Sequence, residues 1–202
     1  MSDLLVIEVS PMGEYSISRS VSKVFLTAFT EKNPSSTIVT RDLATDPVPH
    51  LDVEAISAGR IPEAERSAAM QAKFDYRLGL ISEVNSAKHI LISTPMWNFS
   101  VPSVLKAWID QLIITGSVAV TGKVTIIIAQ GGSYAEGAPR AGWDWETGYL
   151  KQVFSAIGAT DIEIILSEFG LAGVVPVMAA FIDNKVTSIA AAKEAARVRA
   201  VA

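Results

Sequence analysis

Residues 4–18 read LLVIEVSPMGEYSIS, an apolar run that passes directly into a serine-rich loop. Similar runs, rich in Val, Ile and Leu, recur at Ile90–Ser93, Val124–Ala129 and Ile162–Leu166, and a weaker one covers Thr37–Val39. Because their apolar residues are mostly continuous rather than alternating, these runs are typical of strands buried on both faces of a sheet. The weaker run is expected nearer the edge of that sheet.

Helical patterns fill the intervals between the apolar runs. Apolar residues with the spacing of one helix face predict helices in the segments 21–29, 63–85, 101–112, 149–157 and 177–200. Alternation of strand and helix predicts parallel strands joined by right-handed crossovers, which is an α/β fold. Since no internal repeat, low-complexity tract or linker interrupts the pattern, we expect one domain over residues 1–202.

Composition narrows the classes of function. Half of the residues are hydrophobic, yet no apolar stretch reaches the roughly 18 residues of a membrane span. The start of the chain has no export signal, so a cytoplasmic location is expected. The absence of cysteine excludes disulfides, thiolate metal sites and cysteine catalysis. A net charge of −4 without a basic cluster argues against nucleic acid, and the two separated histidines argue against a metal centre.

A doubly wound sheet holds its ligand beyond the carboxyl ends of the strands, where the winding reverses. After the first strand, Ser16 is placed to cap a helix whose start offers unpaired N–H groups to a phosphate. Hydroxyls of Ser10, Ser16 and Ser18 would add uncharged donors. The alternative is a serine-capped helix without a ligand. Neither a P-loop nor a G-x-G-x-x-G follows a strand, which argues against P-loop nucleotidases and dinucleotide-binding domains.

Two further loops at the same edge have unusual composition. Residues Thr94–Pro102 read TPMWNFSVP, a stiff apolar loop in which Asn98 can meet the polar edge of a flat aromatic ligand. Trp97 and Phe99 would flank the faces of that ligand, or else fill the top of the core. The glycines in Gln130–Gly132 allow close approach of the backbone to a ligand, or simply form a tight turn. The three loops together fit FMN.

These residues resemble the FMN-dependent NADH-azoreductase and NAD(P)H:quinone reductase family. The P-M-W-N-F element at Pro95–Phe99, followed by Pro102, Leu105 and Lys106, carries the resemblance, which runs along nearly the whole chain. It implies a flavodoxin-like three-layer sandwich, with a five-stranded parallel sheet in the order 2-1-3-4-5 and helices on both faces. It also implies FMN as cofactor, NADH or NADPH as co-substrate, and a homodimer with its active sites at the subunit interface.

The resemblance also implies which residues hold the cofactor. They are Ser10, Ser16, Ile17 and Ser18 at the phosphate, Pro95, Met96, Trp97, Asn98 and Phe99 along the isoalloxazine, and Gln130, Gly131 and Gly132 at its pyrimidine edge. FMN would take a hydride from the nicotinamide and pass two electrons to a quinone or azo compound, so no side chain is expected as catalytic acid or base. Trp143 and Trp145 are expected to line the acceptor pocket or a dimer interface.

The sequence departs from the family pattern at three places. Trp97 stands where the family usually has tyrosine, and Gln130 replaces the usual arginine before the glycine pair. The connection Gly116–Lys123 is short and lacks the longer hairpin that typical members carry there. These departures leave a second function open, that of a flavin-binding electron carrier or sensor without nicotinamide-dependent turnover.

Overall fold

A computed structural model describes residues 2–114 and 116–202. Within these residues, five parallel strands form one sheet in the order β2-β1-β3-β4-β5. The strands are β1 (Leu4–Glu8), β2 (Ile38–Asp42), β3 (His89–Pro95), β4 (Lys123–Ala129) and β5 (Ile162–Ser167). This order confirms the predicted flavodoxin-like sheet, whose winding reverses between β1 and β3.

Helices cover both faces of the sheet. They are α1 (Ile17–Lys32), α2 (Val53–Ala58), α3 (Ala68–Ser86), α4 (Ser103–Leu112), α5 (Trp145–Ala156) and α6 (Ile182–Ala200). Helices α1 and α6 pack on one face, and α3, α4 and α5 pack on the other. None of the described helices combines the length and the apolarity that crossing a lipid bilayer requires.

The central strands are buried on both faces, as their continuous apolar runs predict. All five residues of β1 are buried, with Leu4 and Val6 in the core under α1 and α6. Leu5 and Ile7 point to the opposite core, because successive side chains of a strand alternate between faces. The edge strand β2 is only partly buried, which agrees with the weaker apolar run in that part of the sequence.

Two predicted helices begin later than their patterns indicated. The segment predicted from residue 63 starts as a short 3₁₀ turn at Glu63–Glu65, and α3 begins only after Ser67. The Ser67 side chain accepts a hydrogen bond from the Met70 N–H and so fixes the start of the helix. In the same way, Pro176–Phe181 forms a 3₁₀ turn before α6. By contrast, α5 starts earlier than expected because Asp144 caps it.

The short helix α2 was not predicted, and a buried arginine of α3 holds it in place. The Arg77 guanidinium donates to the carbonyls of Ala55 in the last turn of α2 and of Gln111, Asp110 and Ile113 at the end of α4. Burial lowers the pKa of Arg77. Two helix ends, each carrying partial negative charge, therefore compensate this buried cation.

Two glycine substitutions test how closely the backbone packs at Gly122, immediately before β4. A methyl group on Gly122 would overlap the backbone carbonyl oxygens of Ala87 (2.6 Å) and Lys88. We expect Gly122→Ala to lower the free energy of unfolding by about 1–3 kcal/mol, because backbone must move to relieve the overlap. Gly79→Ala is the matched control in α3, where a methyl meets nothing within 4 Å, and should add about 0.5–1 kcal/mol. Urea denaturation of both variants would measure these changes, and equal stabilities would contradict the packing argument.

Candidate functional site

The loop after β1 leads into the N-terminal cap of α1, where backbone N–H groups have no backbone acceptor in the described part of the chain. Ser16 caps α1, because its Oγ accepts a hydrogen bond from the Arg19 N–H at 3.2 Å. Its Oγ also lies 3.2 Å from the Oγ of Ser18, and Ser10, Ser16 and Ser18 are all buried. The N–H groups of Ile17 and Ser18 bond no backbone acceptor among the described residues. Hydroxyls and free N–H groups thus converge at the positive end of a helix.

Arg19 anchors this loop, a role that the sequence analysis did not assign. Its Nε donates to the Ser10 carbonyl at 2.8 Å, and its Nη2 donates to Asp42 Oδ1 at 2.7 Å. The Glu8 carboxyl also lies near Arg19, with its Oε2 3.9 Å from Arg19 Nε. Burial raises the pKa of Glu8, although the hydroxyl of Ser22 donates to its Oε1 at 2.7 Å. The loop is therefore tied to β1 and to the end of β2.

The loop after β3 forms a tight two-residue turn. Trp97 and Ser100 exchange two backbone hydrogen bonds of 3.0 Å each, and the residues between them have positive φ, 49° at Asn98 and 70° at Phe99. Positive φ at both positions defines a type I′ turn, which asparagine tolerates and phenylalanine rarely adopts. The N–H groups of Asn98 and Phe99 lack a backbone acceptor within the described chain. Such strain concentrates at functional sites.

The Phe99 ring lies in an aromatic cluster rather than in the core. It meets Trp143 edge-to-face with ring centroids 5.1 Å apart, and Tyr134 at 6.1 Å. The Arg140 guanidinium carbon stands 5.5 Å from the centroid of Phe99 and 5.8 Å from that of Trp143. The ring is half-buried. The alternative in which Phe99 fills the top of the core is therefore wrong.

Trp97 is also outside the core, with 44% of its surface exposed. Together with Asn98, Lys106 and Tyr149 it borders a surface cavity of about 520 Å³ between the turn and the starts of α4 and α5. Trp145 is still more exposed, at 68%. Trp97 in the loop and Trp145 in α5 therefore present indole surface to solvent, where a flat molecule or another protein surface can cover it.

The glycine turn after β4 has its carbonyls bonded and its N–H groups free. The carbonyls of Gln130–Gly132 accept from the N–H groups of Gly170, Leu171 and Phe169 in the segment after β5. The N–H groups of Gly131 and Gly132 find no backbone acceptor in the described part of the chain. A methyl group on Gly131 would lie 2.9 Å from Leu171 Cδ1. A side chain at this position would therefore displace the Leu171 side chain, whether or not a ligand binds.

The side chain of Gln130 is directed to the start of α5. Its Nε2 donates to Asp144 Oδ2 at 2.8 Å, and Gln130 itself is buried. Asp144 caps α5, since its Oδ1 accepts from the N–H groups of Glu146 and Thr147 at 3.0 and 2.8 Å. A neutral amide that bonds a capping carboxylate thus stands where the family pattern has an arginine.

The first turn of α5 also contains a buried carboxyl, that of Glu146, which the sequence analysis did not single out. Glu146 is fully buried, and its Oε1 is hydrogen-bonded to the Thr94 hydroxyl at 3.1 Å. Burial raises the pKa of Glu146 to about 9, and the nearby carboxylate of Asp144 acts in the same direction, whereas the bond from Thr94 opposes it. Glu146 is therefore a neutral acid at neutral pH.

The structure brings all three predicted loops to one edge of the sheet, because β1, β3 and β4 are neighbours. Pro95 pairs with Ala129, and the Met96 N–H continues the ladder by donating to the Ala129 carbonyl at 2.8 Å. The Ile17 side chain reaches across to Gly170, where an added methyl group would meet its Cδ1 at 3.2 Å. The serine loop, the tryptophan-bearing turn and the glycine turn therefore lie side by side at this edge of the sheet, and the space that they border is called the cleft.

Comparison with known proteins identifies close relatives of the chain. Residues 2–196 match a family model described as flavodoxin-like fold. An FMN-dependent NADH:quinone oxidoreductase of Frankia casuarinae is 44% identical over 209 aligned residues, which cover 99% of each chain. A protein of the same name from Streptomyces avermitilis is 38% identical, over 99% of this chain and 96% of its own.

Solved structures show the same fold. An azoreductase from Bacillus anthracis superposes with a TM-score of 0.86 at 23% identity, over 100% of this chain and 99% of its own. An FMN-dependent NADH-azoreductase from the same organism, in complex with FMN, has a TM-score of 0.81 at 24% identity, over 99% and 100% of the two chains. On the strength of the family match and the sequence relatives, the chain belongs to the flavodoxin-like fold family and, within it, to the FMN-dependent NADH:quinone oxidoreductases.

Proposed function

We propose that this protein is an FMN-dependent NADH oxidoreductase that reduces quinones and azo compounds by two-electron transfer. The observation that carries the proposal is that three loops at the carboxyl edge of β1, β3 and β4 each contain N–H donors without a backbone acceptor among the described residues. A relative 44% identical over nearly its full length is named for the same activity. The cleft also lies at the reversal of winding, where α/β sheets hold their ligands.

The start of α1 suits the phosphate of FMN. Ser10, Ser16 and Ser18 would supply hydroxyl donors, and the free N–H groups of Ile17 and Ser18 would supply backbone donors. The positive end of the helix dipole favours a dianion there. Arg19, bonded to the Ser10 carbonyl, would hold the loop in place from behind.

The other two loops suit the ring system. The N–H groups of Asn98 and Phe99 would meet one polar edge of the isoalloxazine, and those of Gly131 and Gly132 would meet the pyrimidine edge. Pro95 and Trp97 would contact the ring through apolar surface, whereas the side chain of Met96 is buried in the core under this loop. Gln130 would act indirectly, because its side chain positions the glycine turn through Asp144.

FMN held by these loops would supply the redox chemistry, a two-electron transfer from NADH to the acceptor. The chain holds the ring, offers hydrogen bonds to its polar edges and leaves apolar surface for a flat acceptor. Trp97 and the cluster of Phe99 and Trp143 would supply that surface. No side chain is assigned as catalytic acid or base.

We also propose a homodimer in the cytoplasm. Tyr15, Trp143 and Trp145 are exposed around the cleft, Tyr15 by 89%, and such aromatic surface is typical of protein interfaces. A second copy would cover it and complete the walls of the site. Sedimentation analysis of the purified protein would test the assembly.

The visible spectrum of the purified protein tests the proposed function most directly. We expect stoichiometric FMN with the absorption of an oxidised flavin, bleaching by NADH under anaerobic conditions, and steady-state NADH oxidation with a quinone and with an azo dye. FMN binding without NADH oxidation would instead indicate an electron carrier or a sensor. Failure to bind FMN at all would contradict the proposal.

Ser16→Asp is predicted to weaken FMN binding at least tenfold. Aspartate caps a helix as well as serine does, so the fold is kept, but its charge repels the phosphate. The matched control is Ser67→Asp, which makes the same change at the cap of α3. Titration of each apoprotein with FMN, followed by flavin fluorescence, measures the affinities. An unchanged affinity in Ser16→Asp would remove the phosphate from this loop.

Substitutions of Asn98 separate its side chain from its backbone conformation. Asn98→Gly keeps a residue that tolerates positive φ and loses only the amide, so we expect a moderate loss of FMN affinity. Asn98→Ala also adds roughly 1–2 kcal/mol of turn strain, so its loss should be larger. The same titration compares them. Wild-type affinity in Asn98→Gly would show that only the backbone matters.

A further inference from the structure

The first turn of α5 contacts both flavin-facing turns. Asp144 accepts from Gln130 at the glycine turn, and the Trp145 N–H donates to the Phe99 carbonyl at 3.0 Å. Glu146 reaches the end of β3 through the hydroxyl of Thr94. The cap of α5 and its first two residues therefore each contact one of the loops or strands that form the proposed site. Of the three, only Glu146 is fully buried.

The Thr94 hydroxyl has two acceptors within reach and only one proton to donate. Its Oγ lies 3.1 Å from the Pro95 carbonyl oxygen and 3.1 Å from Glu146 Oε1. An ionised Glu146 only accepts, and a charged acceptor outcompetes a carbonyl, so it would draw the proton away from Pro95. A protonated Glu146 can donate to Thr94 Oγ instead, which leaves the Thr94 proton for the Pro95 carbonyl.

The second oxygen of Glu146 favours the protonated form. Oε2 is buried and has no hydrogen-bond partner among the residues that the structure describes. A carboxylate with one unbonded oxygen in such a place is costly, whereas a carboxylic acid places its proton on one oxygen and needs fewer donors. The charged group that acts on Glu146 is Asp144 of its own helix, and β3 presents only the hydroxyl of Thr94.

We propose that Glu146 is a positioning residue for the flavin-binding turn, donating its carboxyl proton to Thr94 so that the Thr94 hydroxyl bonds the Pro95 carbonyl. The chain of donors runs from Glu146 through Thr94 to the residue that opens the Pro95–Phe99 loop. Ionisation of Glu146 reverses this chain and places a negative charge behind the loop. FMN affinity is then lower for the ionised protein, and bound FMN holds the proton on Glu146. This inference rests on the proposed function.

FMN affinity of the apoprotein as a function of pH tests the inference. Flavin fluorescence titrations compare the wild type with Glu146→Gln, which keeps a neutral donor but cannot ionise. At about pH 7.5 the two should agree within about threefold. Since free FMN also titrates at alkaline pH, the ratio of the two affinities is compared at each pH. From a pKa of about 9, the wild type should lose roughly fourfold relative to Glu146→Gln by about pH 9.5.

Two further variants separate positioning from simple packing. Glu146→Met removes the competing acceptor and buries apolar surface, so the apoprotein should melt no lower than the wild type, and Thr94 can still donate to the Pro95 carbonyl. FMN affinity of Glu146→Met should therefore stay within about threefold of the wild type near pH 7.5 and should escape the loss at about pH 9.5, as in Glu146→Gln. Thr94→Val removes the bond to Pro95 and should weaken FMN binding about tenfold at pH 7.5, and the double variant should match Thr94→Val alone.

The outcomes separate this inference from the proposed function. A ratio of affinities that stays constant with pH overturns the role of Glu146, as does an alkaline loss of affinity in Glu146→Met equal to that of the wild type. Wild-type affinity in Thr94→Val overturns the link through Thr94. If Glu146→Met does not fold, the pH series of Glu146→Gln and the Thr94→Val affinity decide alone. A wild-type protein that binds no FMN at any pH contradicts the proposed function instead.

Discussion

The parallel pairing of β1, β3 and β4 is the constraint on which the site depends. Because all three strands run in one direction, their carboxyl ends lie at one edge, and each is followed by a loop that leads into a helix. Two bonds extend the ladder beyond the strands, from Val9 N–H to the Ser93 carbonyl and from Met96 N–H to the Ala129 carbonyl. The loops therefore leave the sheet side by side, and each of them contains backbone N–H groups without a backbone acceptor among the described residues.

The packing around this edge of the sheet stabilises a strained backbone at Phe99 and a buried carboxyl at Glu146. The positive φ of Phe99 is compensated by the paired backbone of the turn, the contact with Trp143 and the bond from Trp145 N–H. Glu146 has a pKa near 9 when folded against 4.5 as a free group, so the folded chain binds more protons between these values. Its contribution to stability is therefore full at low pH and is lost as the pH rises through this window.

The structure shows what surrounds the glycine turn, where Gln130 departs from the family pattern. Gln130 replaces a charged residue but keeps a hydrogen bond to the cap of α5. The wall beside the glycine turn comes from the segment after β5, where Leu171 packs on Gly131 and the Met178 methyl approaches Gly132. Leu171, like much of this segment, exposes apolar surface to solvent. This wall stands at the pyrimidine edge of the proposed flavin site, which the sequence analysis assigned to Gln130, Gly131 and Gly132.

The sequence by itself determined the strands and the three loops at their carboxyl ends, and its resemblance to a known family implied the order of the strands. Continuous apolar runs specify doubly covered strands, and Ser16 specifies a helix start, because these signals are local. Only the tertiary structure decided where α2 lies, because the guanidinium of Arg77 reaches its Ala55 carbonyl from another helix. Only the tertiary structure shows that Glu146 is buried, because the residues before it in the sequence are a capping aspartate and two exposed tryptophans. Burial and proton affinity depend on what packs against a side chain, and that neighbour, Thr94, lies 52 residues away.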